Sequence, residues 1–509
     1  RSGGTHKTVR RTIWALVAVV LALAACSGPP APVPAAEPST LAAYYAQHLD
    51  WQPCDGGFEC AQLVVPFDYA KPDGPRFTLP VVKLPAADPA HRVGALVIIP
   101  GGPGGSGVQY ALGARLEFPA AVLARFDIVG FDPRGAGASQ PTLNCENGPQ
   151  LDTFFATDDE PSDPAQFARV VAASKQFAAQ CERNSAALLP YVGTPNAARD
   201  MDVLRAALGE SRLTYLGKSY GTYLGAWYAQ LFPHRVRALV LDGSVDPATS
   251  SLNATIAQAQ GFQGAFGSFA AWCLASPGCP LRGSAGGSVA GAEAKVEALI
   301  TRANSAPLAS GLDDGQVADG AMPLYGVADA LYSRSSGPIL KAALASAFTG
   351  DGTGLVELAN QLYGRNPNGT YSTLANAVTA IDCLDRPWPR SLAPWRSAAS
   401  AAERAAPMFG AALVWGSLAC AYWPVPSYPQ PQIKAAGAPP ILVVGTLRDP
   451  ATPYRWAQAM AGDLASGALL GWNGDGHTAY GEGSACIDTI VNDYLIDLAV
   501  PRSGTVCQR

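Results

Sequence analysis

The chain has 509 residues, of which 48% are hydrophobic and 15% charged, and a net charge of −5. This composition describes a globular protein with ample core and excludes a disordered chain. The acidic balance, with no basic run, also argues against a nucleic-acid partner. At this length the chain holds two or three average domains, or one large α/β domain with an insertion.

The chain begins with Arg1 rather than Met, which reads as a trimmed or mis-started reading frame. Lys7, Arg10 and Arg11 precede an apolar run over residues 13–25, which ends in Leu23-Ala24-Ala25-Cys26. A charged start and an apolar stretch too short to span a bilayer predict a secretory signal over residues 1–26. Its ending is similar to a bacterial lipobox, which makes Cys26 the expected lipidation site and the membrane a partner through a lipid anchor. The other reading is an ordinary signal cleaved nearby. Residues 27–39, rich in Pro and Ala, read as a tether. No later segment reaches about 18 uninterrupted apolar residues, so no further crossing is expected.

Setting Cys26 aside leaves ten of the eleven cysteines. An even set in an exported chain suggests disulfides. Short separations pair Cys54 with Cys60 and Cys273 with Cys279. Sequence does not fix the others; pairing in chain order gives Cys145–Cys181, Cys383–Cys420 and Cys486–Cys507. No C-x-x-C or Cys/His cluster has zinc-site spacing, so no metal is expected.

Along the remaining chain, residues 40–50 read as a short helix, and 60–66 with 77–83 as a strand hairpin. Residues 95–100 (Ala-Leu-Val-Ile-Ile-Pro) form a buried-strand pattern that runs into Gly101-Gly-Pro-Gly-Gly-Ser-Gly107. A second such strand, 126–132, ends in Asp132-Pro-Arg-Gly135. Residues 144–191 are mostly helical, with a polar loop near 158–164. Thr194-Pro195 reads as an N-cap followed by Pro at N1, opening a helix to Leu208 that Gly209 closes.

The most informative stretch follows. An apolar run from Leu213 ends in Gly217-Lys-Ser219-Tyr-Gly221, which fits a G-x-S-x-G nucleophile elbow. A strand must turn sharply into a helix with the serine at a strained apex, and a Cβ two residues to either side would collide with the turn. The pattern agrees: 220–232 is helical, stops before Pro233, and 236–241 is another buried strand. Residues 248–437 then read as Ala/Gly/Ser-rich helices and loops with no buried strand pair. Buried strands return at 440–445 and 467–472. Strands alternating with helices indicate an α/β fold with a mainly parallel sheet. The helical stretch 248–437 is then a cap inserted between core parts 40–247 and 438–509.

Acyl transfer by Ser219 needs a histidine base, a carboxylate and oxyanion donors. After such an elbow the order is Ser, acid, His. Of five histidines only His477 lies late in the chain, just after a strand. Asp449 follows the preceding strand and is the expected acid, although it could instead cap the helix starting at Thr452-Pro453. Asp242 is the second candidate acid, and Asp475 is too close to His477 in sequence. Backbone N–H groups of Tyr220 and Gly102 are the expected oxyanion donors, since the glycine loop lets backbone approach a substrate. That loop lacks the ending of a phosphate-binding P-loop and the spacing of a dinucleotide fingerprint. No cofactor is implied.

Four separated motifs now carry a resemblance: Pro100-Gly-Gly-Pro-Gly-Gly-Ser-Gly107, Asp132-Pro-Arg-Gly-Ala-Gly-Ala-Ser139, Gly217-Lys-Ser-Tyr-Gly-Thr-Tyr223 and Asp449-Pro-Ala-Thr-Pro453. In this order they resemble the tripeptidyl aminopeptidase-type α/β-hydrolases of actinobacteria, relatives of prolyl aminopeptidases that include exported mycobacterial lipoprotein proteases. The resemblance covers about residues 40–509. It implies an α/β-hydrolase fold, a triad of Ser219, Asp449 and His477, an oxyanion hole at Gly102 and Tyr220, and a peptide or protein substrate. Pro100 stands where prolyl aminopeptidases usually carry His, which weakens a proline-specific assignment. An aminopeptidase must hold a substrate ammonium. Asp382 and Asp385, within the insertion, are candidates; acids paired with Arg386 are the alternative. The functions in play are an exported aminopeptidase releasing short peptides, a carboxylesterase or lipase with the same triad, and a non-catalytic envelope binding protein.

Overall fold

A computed structural model describes residues 40–283 and 287–508. The expected signal, the expected tether and Cys26 lie outside the described residues. Among those described, ten strands form one sheet in the order β1-β2-β3-β5-β4-β6-β7-β10-β11-β12. They are β1 (Gln52–Cys54), β2 (Phe58–Pro66), β3 (Arg76–Leu84), β4 (Gly94–Ile99), β5 (Phe126–Phe131), β6 (Leu213–Lys218), β7 (Val236–Asp242), β10 (Ile441–Arg448), β11 (Gly467–Asp475) and β12 (Thr505–Cys507). The first three pair antiparallel and β3 meets β5 antiparallel; every later pairing is parallel. This is the α/β-hydrolase arrangement.

The apolar runs become central strands because both faces of the sheet are covered. Alternate residues of one strand enter different cores: Val97 and Ile99 pack on one face, Leu96 and Ile98 on the other. Parallel pairing also aligns the strand ends, with Ile99 beside Gly217, Lys218 beside Asp242, and Asp242 beside Val444. The segments that follow these strands therefore emerge along one edge, where ligands bind in open α/β sheets.

Between β7 and β10 the described elements are helices, apart from one short pair, β8 (Leu308–Ala309) with β9 (Val317–Ala318). Leu308 and Ala318 are buried, so the expectation of no buried strand pair is corrected. Two-residue strands are too short to leave a period-2 signature. The segment is not uniform. Phe266, Leu299, Val327, Leu344 and Leu355 build a core of their own, whereas Ile381, Trp395 and Trp423 join the core beneath the sheet.

Three further readings change. The first helix spans only Leu41–Tyr45, and the short edge strands β1 and β12 were not anticipated. The helix Thr194–Ala207 is capped by Gly193, with Thr194 already inside it. Its N-terminus is instead held from far away: the Thr194 N–H donates to Asp385 Oδ1 at 2.8 Å, and the Thr194 hydroxyl donates to Asp385 Oδ2. Five disulfides join Cys54–Cys60, Cys145–Cys181, Cys273–Cys279, Cys383–Cys420 and Cys486–Cys507, the chain-order pairing. No helix among the described residues is long and apolar enough to cross a membrane.

Candidate active site

Strand β6 delivers Ser219 into a left-handed conformation, φ 56° and ψ −124°, immediately before the helix Tyr220–Leu231. A non-glycine residue there costs on the order of 1–3 kcal/mol, which surrounding structure must over-determine. The constraints are visible. A Cβ on Gly217 would stand 2.4 Å from the Gly221 carbonyl oxygen, and one on Gly221 2.8 Å from the Ile99 oxygen. Ser219 N–H donates to the Asp242 carbonyl at 2.9 Å, fixing the apex to β7.

The glycine loop after β4 lies directly against this apex. Gly101 has φ +116°, and a Cβ there would stand 2.8 Å from Ser219 Cβ. Gly102 lines the same cavity as Ser219 and Tyr220. Among the described residues, neither the Gly102 nor the Tyr220 backbone N–H donates a hydrogen bond.

Asp449 and His477 meet on the far side. His477 Nδ1 sits 2.9 and 3.1 Å from the two Asp449 oxygens. The carboxylate also accepts from the N–H groups of Ala451 (2.9 Å), Thr452 (2.8 Å) and Thr478 (3.1 Å) and from the Thr452 hydroxyl (3.0 Å). The carboxylate thus holds the imidazole and its own turn, but it does not cap the next helix: Tyr454–Asp463 starts from Pro453 with no side-chain cap, which corrects the capping alternative. Facing a carboxylate, Nδ1 is assigned the proton, which leaves the lone pair on Nε2. Nε2 is buried and makes no hydrogen bond, to Ser219 or to any other described residue. The ring does reach the end of β7, the strand paired with the serine's own β6. A Cβ on Gly243 would stand 3.3 Å from His477 Cε1, one residue beyond the Asp242 carbonyl that anchors Ser219.

The second candidate acid does different work. Asp242 is buried and accepts from Ala479 N–H (3.0 Å) and Tyr480 N–H (3.0 Å), behind the histidine rather than on its ring. Burial pushes its pKa up to about 6, against the opposing pull of Lys218. Asp475 pairs with Arg448. Two contacts escaped sequence reasoning. Thr452 Oγ1 lies 3.3 Å from His477 Nδ1. Tyr332, from the inserted segment, sets its ring edge-on to the imidazole with centroids 5.2 Å apart and accepts the His477 N–H at 2.8 Å. A lone tyrosine at a helix end, more than a hundred positions from His477, gives no sequence signal.

A cavity of about 350 Å³ extends from Ser219, Tyr220 and Gly102 to Asp382 and Asp385. The two acids differ. Asp385 is buried and engaged by Thr194, whose hydroxyl also bonds the Tyr220 hydroxyl. Burial pushes Asp385 up to about 6. Asp382 is exposed where it lines the cavity, although protein lies close around it. That crowding and the neighbouring Asp385 push its pKa up to about 7. Its helix, Leu374–Asp385, is tied down by Cys383–Cys420. The reading that pairs these acids with Arg386 is corrected: the guanidinium bonds the carbonyls of Asp246 (2.9 Å) and Thr249 (3.2 Å) and packs on Tyr223. The turn's carbonyls, which Gln430 also engages at Pro247 and Thr249, compete successfully for it.

Fold and site together define a serine hydrolase of the α/β-hydrolase class. Residues 406–507 match the family described as TAP-like protein. Serine protease Hip1 of Mycobacterium tuberculosis is 37% identical over 97% of this chain and 97% of its own length. Carboxylesterase B of the same organism is 37% identical over 88% of this chain and 86% of its own. The tripeptidyl aminopeptidase of Streptomyces coelicolor is 32% identical over 90% and 86%. The chain belongs to this family of tripeptidyl aminopeptidase-like serine hydrolases.

Proposed function

We propose that this chain is an exported serine peptidase that releases short peptides from free N-termini through an acyl-enzyme. Ser219 Oγ attacks the scissile carbonyl carbon as its proton passes to His477 Nε2, and the resulting oxyanion takes the N–H groups of Gly102 and Tyr220. Asp449 keeps the imidazole in the required tautomer and stabilises the imidazolium. As the C–N bond breaks, Nε2 returns the proton to the leaving amine; water then attacks the ester by the same route and frees Ser219.

One observation carries the aminopeptidase reading: a carboxylate, Asp382, opens into the cavity that holds the nucleophile. An α-ammonium there forms an ion pair while the acyl carbonyl reaches Ser219. Asp385 supports this end by fixing Thr194 and Tyr220. The names of the relatives fit the same reading, and the carboxylesterase name keeps ester hydrolysis as the second. Residues 40–247 and 438–509 are read as the hydrolase core and 248–437 as its helical insertion. Five disulfides fit an oxidising location; attachment through a lipid on Cys26 is part of the proposal. Loss of membrane fractionation in Cys26→Ala, expressed in an actinobacterial host, tests that part.

The test of function compares free and N-blocked peptide amides with short- and long-chain esters, with Ser219→Ala as control. Cleavage confined to free-amine peptides supports the proposal, and ester turnover alone supports the second reading. Activity equal in Ser219→Ala refutes both.

A further inference from the structure

The cavity that holds Ser219 continues to a third carboxylate, Asp159, which the chemistry above does not use. Asp159 lies in the loop between the helices Gly148–Phe155 and Pro164–Ser185. Aromatic rings line this end of the cavity. Phe155 stacks on Tyr363 with centroids 3.7 Å apart, and Tyr325 packs against Tyr363 at 5.4 Å. The Tyr325 hydroxyl donates to Asp159 Oδ2 at a long 3.3 Å. Among the described residues no basic side chain offsets the carboxylate: burial, with Asp158 and Glu160 nearby, holds its pKa well above the ordinary range. Gly416 keeps the place open, since a Cβ there would stand 2.8 Å from the Tyr325 hydroxyl and 3.1 Å from Asp159 Oδ2.

This end is distinct from the Asp382 end. The charge of Asp382 is felt at Tyr220, beside the nucleophile, whereas that of Asp159 is felt at Tyr325 and Tyr363. A carboxylate beside aromatic rings suits a compact organic cation, which gains an ion pair with it. Without such a cation the carboxyl tends to stay protonated, and a bound ammonium favours its ionised form.

We propose that Asp159, with Tyr325, Tyr363 and Phe155, forms a second subsite that takes the α-ammonium of peptides reaching past Asp382. This rests on the free-N-terminus reading above and adds a ruler to it. Each extended residue advances the ammonium by about 3.3–3.6 Å. Carboxylates at two depths therefore serve two lengths of released peptide, the longer one at Asp159.

The test measures kcat/KM on aminoacyl-, dipeptidyl- and tripeptidyl-amides of alanine with one fluorogenic leaving group, each free and N-acetylated. The full chain is compared with Asp159→Asn, which keeps the side-chain size, and with Gly416→Ala, which crowds the site without removing charge. Both variants should lose about tenfold or more on the longest free-amine substrate, the weight of one charge-assisted contact. The loss should fall on KM and spare the shortest substrate. Equal losses at every length, or none at any, overturn the subsite. A loss appearing only when lysine replaces alanine also overturns it, because it would mark a side-chain pocket. If N-acetylation leaves unmodified enzyme rates unchanged, the aminopeptidase reading itself fails. If acetylation blocks turnover yet both variants match the unmodified enzyme at every length, only the Asp159 subsite is lost.

Discussion

The edge of the sheet and the inserted helical segment reach the same cavity by opposite means. At the sheet edge, each candidate residue sits where a strand ends, and parallel register aligns the ends from which Ser219, the glycine loop, Asp449 and His477 emerge. In the insertion, Tyr332, Asp382 and Asp159's partner Tyr325 are placed by helix packing, through two separate cores and the Cys383–Cys420 bridge. On the proposed function, the edge supplies the reaction and the insertion supplies the fit of the substrate. Chemistry should therefore respond to changes at the edge, and substrate choice to changes in the insertion.

The largest effects test the edge. Ser219→Ala should lower kcat about 10⁶-fold on peptides and esters alike. Asp449→Asn should lower it about 10⁴-fold by admitting the wrong imidazole tautomer. Asp242→Asn should keep far more activity than Asp449→Asn, since Asp242 bonds backbone rather than the ring; comparable losses would move the acid's role to Asp242.

Intermediate effects cross from one region to the other. Tyr332→Ala should lower kcat roughly ten- to a hundredfold by loosening the imidazole, with KM little changed. Tyr332→Phe should retain activity, because the ring edge and the backbone carbonyl make the contacts. A KM effect without a kcat effect would instead make Tyr332 a substrate contact.

The smallest effect is one of pH. Asp382 must be charged to hold an ammonium, so kcat/KM on free-amine peptides should rise through about pH 7. It should fall again as the α-amine loses its proton near about 7.7–8.0. Asp382→Asn should remove the rising limb that belongs to this carboxyl and leave ester turnover unaltered. The stability consequence has a definite sign. A carboxyl whose folded pKa is raised above its unfolded value favours the native state at low pH, and that advantage is lost as pH rises from about 4 to 7. Thermal unfolding of Asp382→Asn should show a shallower decline across this window.

What was legible in the chain follows the same division. The elbow could be read because its geometry demands glycines at 217 and 221, and the late position of His477 left one candidate base. Buried runs at 95–99, 213–218 and 441–444 announced central strands, since strands covered on both faces must be apolar throughout. Thr194 was misassigned because Thr-Pro has the local form of a cap, whereas the actual partner, Asp385, lies 191 positions away. Tyr332 and Asp159 left no trace for the same reason. Their roles arise from packing between distant segments, and residue type alone does not encode that.

The most direct measurement is the site and rate of covalent labelling by a fluorophosphonate, read by peptide mass spectrometry in the full chain and in His477→Ala. Convergence of the three side chains on one activated hydroxyl predicts a single adduct on Ser219, with its rate reduced at least about 10³-fold without the imidazole. An adduct elsewhere, or equal labelling of Ser219 in His477→Ala, would contradict it.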